Sequence, residues 1–100
     1  TPLIYACKNG NEKIVKMLIE NEAFVNMRDF DDNTPLYYAC RKNTEGIVKL
    51  LVEHKAHVNC KNRSGDSPLL LACKRGNEAI VKILLEHQAD VNIKNEENRT

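Results

Sequence analysis

The stretch that decides the fold is Thr34-Pro35-Leu36-Tyr37-Tyr38-Ala39-Cys40, because close copies of it stand 33 residues earlier and 33 residues later. The earlier copy reads Thr1-Pro2-Leu3-Ile4-Tyr5-Ala6-Cys7, and the later one reads Ser67-Pro68-Leu69-Leu70-Leu71-Ala72-Cys73. When residues 1–33, 34–66 and 67–99 are written as three rows, 13 of the 33 columns are identical in all rows. A fixed period of this length is typical of proteins built from stacked repeats. The 100 residues are therefore predicted to form one domain of three repeats.

Each row carries the start and stop signals of two short helices. A hydroxyl residue before proline predicts an N-cap followed by Pro at the first helical position, in Thr1, Thr34 and Ser67. Residues that tolerate the left-handed conformation then end the first helix: Gly10, Asn43 and Gly76. The next residues are predicted to cap the second helix: Asn11, Thr44 and Asn77.

The second helix of each row is apolar over too wide an arc for a helix that packs on one side only. In row one this arc contains Ile14, Val15, Met17, Leu18 and Ile19. We therefore expect the first helix and both neighbouring repeats to cover it. The rest of each row is polar and rich in turn-forming residues, and its tip column holds Asp32, Gly65 and Asn98, which accept positive φ.

The repeat resembles the ankyrin repeat, a unit of a turn and two helices with a Thr-Pro-Leu opening and a period of 33 residues. The resemblance rests on Thr34-Pro35-Leu36, on Ala39-Cys40, on the Ile-Val-Lys-x-Leu run of every row, and on Ala89-Asp90-Val91-Asn92. It covers the whole chain. It implies an all-α solenoid of helix-turn-helix repeats joined by β-hairpin-like loops. Since no row has the polar outer face of a capping repeat, we expect this segment to belong to a longer protein.

The sequence departs from the family pattern after the second helix, where the family often has glycine. Glu22, Lys55 and Gln88 stand there instead. If the left-handed geometry is kept, each of these residues is expected to cost about 1 kcal/mol of stability.

Composition excludes several classes of protein. The formal net charge is only +1, whereas a general nucleic-acid binder has a strong basic excess. No apolar run approaches the roughly 20 residues of a membrane-spanning helix, so no membrane insertion is expected. Three of the four cysteines are spaced by the repeat period, which places them about 10 Å apart on stacked helices, too far for a disulfide. Reduced thiols predict an intracellular, cytoplasmic setting.

The resemblance implies a concave face built from the fingers and from the exposed end of each first helix. It brings six columns to that face: Lys8/Arg41/Lys74, Asn9/Lys42/Arg75, Arg28/Lys61/Lys94, Phe30/Arg63/Glu96, Asp31/Ser64/Glu97 and Asn33/Asp66/Arg99. These 18 positions hold ten basic and four acidic residues, a net charge of +6, while the other 82 carry five basic and ten acidic residues, −5. The near-neutral total therefore conceals a polarised molecule, and an acidic protein partner is expected. The residues expected to bind it are Lys8, Asn9, Phe30, Asn33, Tyr37, Arg41, Lys42, Arg63, Asp66, Lys74 and Arg75.

Aromatic residues near this face have two possible roles, since an exposed aromatic side chain is a good binding anchor and a buried one belongs to the core. Tyr5 and Tyr38 share a column with Leu71, which favours the core for both. For Tyr37 and Phe30 the two roles stay open.

No residue pattern indicates catalysis, and neither a metal nor a cofactor is expected. His54-x-x-His57-x-x-Cys60 has a spacing that a metal site could use, but it spans a helix exit and a loop. His87 repeats His54 without the accompanying residues.

The basic residues expected on the concave face have an alternative role. Lysines and arginines on exposed helix ends could merely make the protein soluble, and they are favourable at the C-terminal ends of helices.

A column of asparagines closes each row: Asn26, Asn59 and Asn92. We expect these side chains to tie adjacent fingers together by hydrogen bonds to the backbone. The resemblance also implies a possible hydroxylation, which favours an upstream Leu and an acid two residues before the asparagine. Asn92, with Leu84 and Asp90, fits best. The mass gain of one oxygen atom on its peptide, from protein of the native cell, would test this hypothesis.

The function expected from these observations is that of a module that binds a protein partner through a basic groove. The alternative is a structural spacer in a larger protein. No enzyme activity and no obligate oligomer are inferred. A nucleic-acid binder is a minor alternative, because the groove lacks a series of exposed aromatic residues for base stacking.

Overall fold

The computed structural model describes residues 1–92, which form six helices and no β-strand. The helices are α1 (Pro2–Asn9), α2 (Glu12–Glu20), α3 (Pro35–Arg41), α4 (Glu45–Glu53), α5 (Pro68–Arg75) and α6 (Glu78–Glu86). The first helices α1, α3 and α5 pack side by side in one layer, and the second helices α2, α4 and α6 form the other. The result is a short stack of 38 × 28 × 20 Å. The prediction of an all-α stack of helix-turn-helix repeats is confirmed.

The predicted caps account for most helix ends. The hydroxyl of Thr34 accepts a hydrogen bond of 3.2 Å from the backbone N–H of Tyr37, and Thr1 and Ser67 do the same in their repeats. Gly10 and Gly76 end α1 and α5 in the left-handed conformation. Asn43 takes the same conformation, with φ 63°, one residue after the C-cap of α3.

Thr44 stands at the predicted N-cap position of α4 but lacks the capping hydrogen bond. Asn11 and Asn77 cap α2 and α6 by accepting from backbone N–H groups, but Thr44 makes no such bond to α4. Its hydroxyl points back and donates to the carbonyl oxygen of Ala39 at 3.1 Å. The hydroxyl therefore satisfies the end of α3 rather than the start of α4.

The central repeat carries the densest part of the core. Ile47, Val48 and Leu51 of α4 are fully buried, because α3, α2 and α6 all pack against that helix. The equivalent α2 has only two buried residues, Val15 and Ile19. The wide apolar arc predicted for the second helices is thus covered from both sides in the middle of the stack.

The sequence expectation that Tyr5 belongs to the core is wrong. Tyr38, in the same column, is only 6% exposed because α1 packs against its helix, whereas Tyr5 is 66% exposed. No helix of residues 1–92 lies on the side of α1 that would cover Tyr5. Burial in this column depends on the neighbouring repeat and not on the side chain itself.

The segments between repeats follow a hairpin-like path without forming strands, and we call residues 25–33 the first finger and residues 58–66 the second finger. Each finger is closed at its tip by a backbone hydrogen bond, from Asp29 N–H to Asn33 O and from Asn62 N–H to Asp66 O. One further backbone bond, from Arg63 N–H to Asp31 O at 2.9 Å, joins the two fingers. A single bond between neighbours is too little for a regular β ladder.

The turn after each second helix keeps the left-handed geometry that glycine normally occupies. Glu22, Lys55 and Gln88 have φ of 68°, 71° and 70°, so all three are held in a conformation that L-residues avoid. Asp32 at the tip of the first finger has φ 61° and Gly65 at the tip of the second has φ 83°. Both predictions of positive φ are confirmed, and the corresponding prediction for Asn98 lies outside the described residues.

Candidate functional site

The last turns of the three first helices bring basic side chains together on one face. Arg41 ends α3, Lys42 follows it, and Arg75 ends α5. Together with Lys8 of α1, these residues surround the ring of Tyr38 in an open depression of about 320 Å³. Basic residues at these positions are also favourable for the helices, because the C-terminal end of a helix carries partial negative charge. We call this depression the basic groove.

Nearby acids do not neutralise the basic groove. Within residues 1–92 the structure has one ion pair, in which the Nζ of Lys74 lies 4.0 Å from a carboxylate oxygen of Asp66. That pair satisfies Lys74 in part and leaves Arg41, Lys42 and Arg75 without an acidic partner in the described part of the chain. The uncompensated positive charge is therefore centred on the second repeat and its border with the third.

Lys8 is placed against aromatic rings, and its charge also helps to lower the pKa of the Asp29 carboxyl. Its Nζ lies 5.2 Å from the ring centroid of Tyr38 and 5.5 Å from that of Tyr5. Such cation–π contacts are worth about 0.5–1 kcal/mol at exposed sites. They hold the lysine at the first-repeat end of the basic groove.

A chain of polar contacts beneath the groove fastens the fingers to α3. The hydroxyl of Tyr38 donates to the carboxylate of Asp29, and the side-chain amide of Asn33 donates to the same hydroxyl at 3.1 Å. Asn62 of the second finger donates to the side-chain oxygen of Asn33 at 2.8 Å. Asn33 was expected to contact a partner, but its side chain is only 7% exposed. Its amide and its side-chain oxygen are both hydrogen-bonded within the structure, so this expectation is corrected.

The ionisation of Asp29 is governed by this network. Burial alone would raise the pKa of its carboxyl, but the hydrogen bonds from Tyr38 and from the backbone N–H groups of Asn33 and Asp31 outweigh burial and lower the pKa. Burial raises the pKa of Tyr38, and the bond to Asp29 raises it further. The pair is therefore a neutral phenol donating to a carboxylate, which fixes the first finger against the second repeat.

The aromatic residues of this face differ in accessibility. Phe30, at the tip of the first finger, is 94% exposed. Tyr37 is half-buried and stacks on Tyr38 with ring centroids 5.6 Å apart. A second depression, next to the basic groove, is lined by Thr1, Ile4, Tyr5, Lys8, Arg28, Asp29 and Phe30. Of the two aromatic residues whose roles were open, only Phe30 offers a fully accessible ring.

The remaining expected contact residues fall into two groups. Asn9 at the end of α1 and Arg63 in the second finger are exposed, whereas Asp66 is half-buried and engaged with Lys74. Four of the 18 positions in the six columns lie outside the described residues: Lys94, Glu96, Glu97 and Arg99. The described part of the face thus keeps eight basic and two acidic residues.

The asparagine column ties repeats together as expected in the first two rows. Asn26 donates to the carbonyl oxygen of Lys55 at 3.3 Å and accepts from the N–H of His57 at 2.8 Å. Asn59 makes the same pair of bonds with Gln88 and Asp90. The side chain of Asn92 is exposed, and its backbone N–H donates to Asp90. Its hydroxylation stays a prediction.

The cysteines and histidines show no built site in the described part of the chain. Cys7, Cys40, Cys60 and Cys73 are free thiols, and burial raises the pKa of Cys7 and Cys40 to about 12. Nowhere in residues 1–92 do three His, Cys, Asp or Glu side chains come together as metal ligands would. His54 is tied to its own helix by a ring-nitrogen contact of 2.9 Å to Leu50 O.

Within residues 1–92, no helix has the length and apolarity that crossing a membrane requires.

The Asp29–Tyr38 contact was missed at the sequence level, although a signal for it exists. A buried tyrosine must find a partner for its hydroxyl. The column of Asp29 holds asparagine in the other rows, so an acid appears only in the finger that faces Tyr38. The column of Tyr38 likewise has leucine in the third row.

Comparison with protein families agrees with this architecture. A family model described as ankyrin repeats in three copies matches residues 1–62, and a model of the single ankyrin repeat matches residues 64–96. No curated protein matches the sequence closely enough to count as a relative. The ankyrin repeat family generally provides protein–protein interaction modules and is typically non-enzymatic. With matches along nearly its whole length, the chain belongs to the ankyrin repeat family.

Proposed function

We propose that this chain binds a partner protein through the basic groove, and that the partner presents an acidic surface. The observation that carries the proposal is the absence of a described acidic partner for Arg41, Lys42 and Arg75 around one open depression. Charges that the protein leaves uncompensated steer an oppositely charged partner and fix its register. Arginine also suits this role, because its planar guanidinium can bind a carboxylate through two parallel hydrogen bonds.

One feature of the groove favours a protein ligand over a purely solubilising surface. The floor of the groove is fixed, because Tyr38 beneath the basic side chains is bonded to Asp29 and Asn33. The exposed lysines of the second helices, Lys16, Lys49 and Lys82, lie outside the groove. The four free thiols are consistent with an intracellular setting, in which we place this interaction.

The experiment is an affinity capture from source-cell lysate with three forms of the chain. The groove variant carries Arg41→Glu, Lys42→Glu and Arg75→Glu; Lys74 is left unchanged because Asp66 already pairs with it. The matched control carries Lys16→Glu, Lys49→Glu and Lys82→Glu, which changes the net charge by the same amount on exposed positions elsewhere. Circular dichroism verifies that all three forms are folded.

We expect a defined partner to be retained by the wild type and by the control and lost by the groove variant. The purified partner should then bind the wild type more weakly as salt is raised, because salt screens exposed charges. A partner retained equally by all three forms would rule out the groove. If no form retains a specific protein, the spacer alternative is favoured. Steeply salt-dependent binding to random nucleic acid would favour a nucleic-acid ligand.

A further inference from the structure

The basic groove collects positive charges from three different helices. Lys8 comes from α1, Arg41 and the following Lys42 from the end of α3, and Arg75 from α5. These four residues line one depression of about 320 Å³, and Tyr38 is the remaining residue of its lining. Because like charges around one space repel each other, the groove is suited to a ligand that brings more than one negative charge.

The groove is open in the interior of the stack. The helix that carries Arg41, α3, is flanked by α1 on one side and by α5 on the other. Lys42 is exposed although repeats lie on both sides of it, and Arg75 occupies the same column one repeat later. The exposure of these cations is therefore a property of their columns.

The side chains of the groove are donors of hydrogen bonds with no acceptor left to offer. Lysine and arginine side chains only donate. The hydroxyl of Tyr38 is already bonded to Asp29 and Asn33. Asp29 acts on Lys8 through its charge, but its oxygens accept from Tyr38 and from two backbone N–H groups. The groove therefore favours a ligand group that has acceptor oxygens only.

We infer that the basic groove binds a phosphorylated side chain of the partner protein, with the phosphoryl oxygens between Lys8, Arg41 and Arg75. This inference rests on the proposed function and names the acidic group that the partner presents. A phosphate monoester carries a charge of about −1.5 to −2 at neutral pH and three strong acceptor oxygens. A carboxylate carries a single charge and two oxygens in one plane. Donors that come from three helices surround a tetrahedral group more completely than a planar one.

The arginines strengthen the choice of phosphate. A guanidinium group binds a phosphate through two parallel hydrogen bonds, and clusters of arginines are a recurring means of recognising phosphorylated residues. The phosphodiester of a nucleic acid fits less well, because it carries one charge and two free oxygens. Tyr38, the aromatic residue of the groove, is only 6% exposed and cannot stack on bases.

The test measures the fluorescence anisotropy of labelled synthetic peptides. All peptides share a frame of glycines with two glutamates and differ at the centre, which is serine, phosphoserine or a pair of adjacent glutamates. The pair of glutamates matches the charge of phosphoserine at about pH 7.5, so these two peptides differ in the geometry of the anionic group and not in charge. Inorganic phosphate, added as an unlabelled competitor, tests whether the anion alone is sufficient.

Single substitutions that each remove one positive charge locate the site. Lys8→Gln, Arg41→Gln and Arg75→Gln each change one of the three helices around the groove. Lys49→Gln is the matched control, because Lys49 is exposed on α4 and does not line the groove. All four side chains are exposed, and circular dichroism verifies that the variants are folded.

We expect the phosphoserine peptide to bind the wild type about 10-fold more tightly than the serine peptide and about 3- to 5-fold more tightly than the charge-matched peptide. Each groove substitution should weaken the phosphoserine peptide about 5- to 10-fold, as the loss of a charged hydrogen bond predicts. Lys49→Gln should weaken it less than about 2-fold, because it removes the same charge at a distance from the groove.

The possible failures are distinguishable. Equal affinity of the phosphoserine and charge-matched peptides, with both weakened by the groove substitutions, would overturn the phosphate site and leave the proposed function standing. If Lys49→Gln weakened binding as much as the groove substitutions, binding would depend on overall charge, and both proposals would be overturned. Inorganic phosphate that binds as tightly as the phosphoserine peptide would overturn a phosphorylated protein as the ligand. If none of the peptides bound, the phosphate site would be overturned, and the affinity capture would decide the proposed function.

Discussion

Asn62 donates a hydrogen bond of 2.8 Å to Asn33, and this bond connects the second finger to the first across 29 residues of sequence. The side-chain oxygen of Asn62 accepts from the backbone N–H of Asp66 in its own finger. Asn33 passes the connection on to Tyr38, whose hydroxyl ends it at Asp29. The face that carries the basic groove is thus held by one continuous run of hydrogen bonds, and the first predictions concern this run.

Tyr38→Phe should lower the free energy of unfolding by about 1–2 kcal/mol, because it leaves the amide of Asn33 without an acceptor and Asp29 without its side-chain donor. Urea denaturation followed by circular dichroism measures the change. Tyr37→Phe is the control, since Tyr37 is half-buried and its hydroxyl has no partner in the described structure; it should change stability by less than about 0.5 kcal/mol. Equal effects of the two substitutions would show that the Tyr38 hydroxyl contributes nothing.

Acid should destabilise the protein partly through Asp29. Its pKa is lowered in the folded state from an ordinary value of 3.8, so its contribution is present above pH 3.8 and is lost as the pH falls through the lower folded value. Asp29→Asn removes that contribution, and the variant's stability should fall less steeply below about pH 4 than that of the wild type. Urea midpoints measured from about pH 6 to about pH 2 test this. Asp90→Asn, at an exposed position, is the comparison, and slopes that agree among all three proteins would contradict the assignment.

The repeat period alone was sufficient to predict the fold, because the determinants of these helices are local. Thr34 and Pro35 start a helix, Gly76 ends one, and the same order recurs in each row. Positive φ at Glu22, Lys55 and Gln88 was also predictable, because the repeat requires it at that column whatever residue stands there.

The site was less predictable, because exposure depends on neighbours that a column does not reveal. Tyr5 and Tyr38 share a column, yet one is in water and the other beneath the groove, since only Tyr38 has a preceding repeat against it in the structure. Asn33 was placed on the surface by its column, but its side chain found two partners inside, Tyr38 and Asn62. These bonds depend on residues that differ from row to row, so a pattern based on recurrence cannot predict them.

Lys55→Gly should stabilise the protein, because it relieves backbone strain in the turn after α4. Lys55 has φ 71°, a conformation that costs an L-residue about 1–2 kcal/mol and glycine almost nothing. The greater freedom of glycine in the unfolded chain offsets part of the gain, so we expect about 0.5–1 kcal/mol by urea denaturation. Lys49→Gly, inside α4, should instead destabilise by a similar amount. A loss of stability in Lys55→Gly would show that the strain at this residue is smaller than the entropy that glycine adds to the unfolded chain.

The four thiols should react in an order set by burial. Cys73 is exposed and Cys60 is half-buried, whereas Cys7 and Cys40 are fully buried and their pKa is raised to about 12. At mildly alkaline pH a pKa of about 12 instead of 9.0 reduces the reactive thiolate fraction about a thousandfold, before steric protection is counted. Iodoacetamide applied to the native protein should therefore label Cys73 first and leave Cys7 and Cys40 unmodified, as peptide mass spectrometry can measure. Labelling in urea, where all four thiols should react, is the control. Early labelling of Cys40 in the native protein would mean that the centre of the stack opens far more readily than its packing between α1 and α5 predicts.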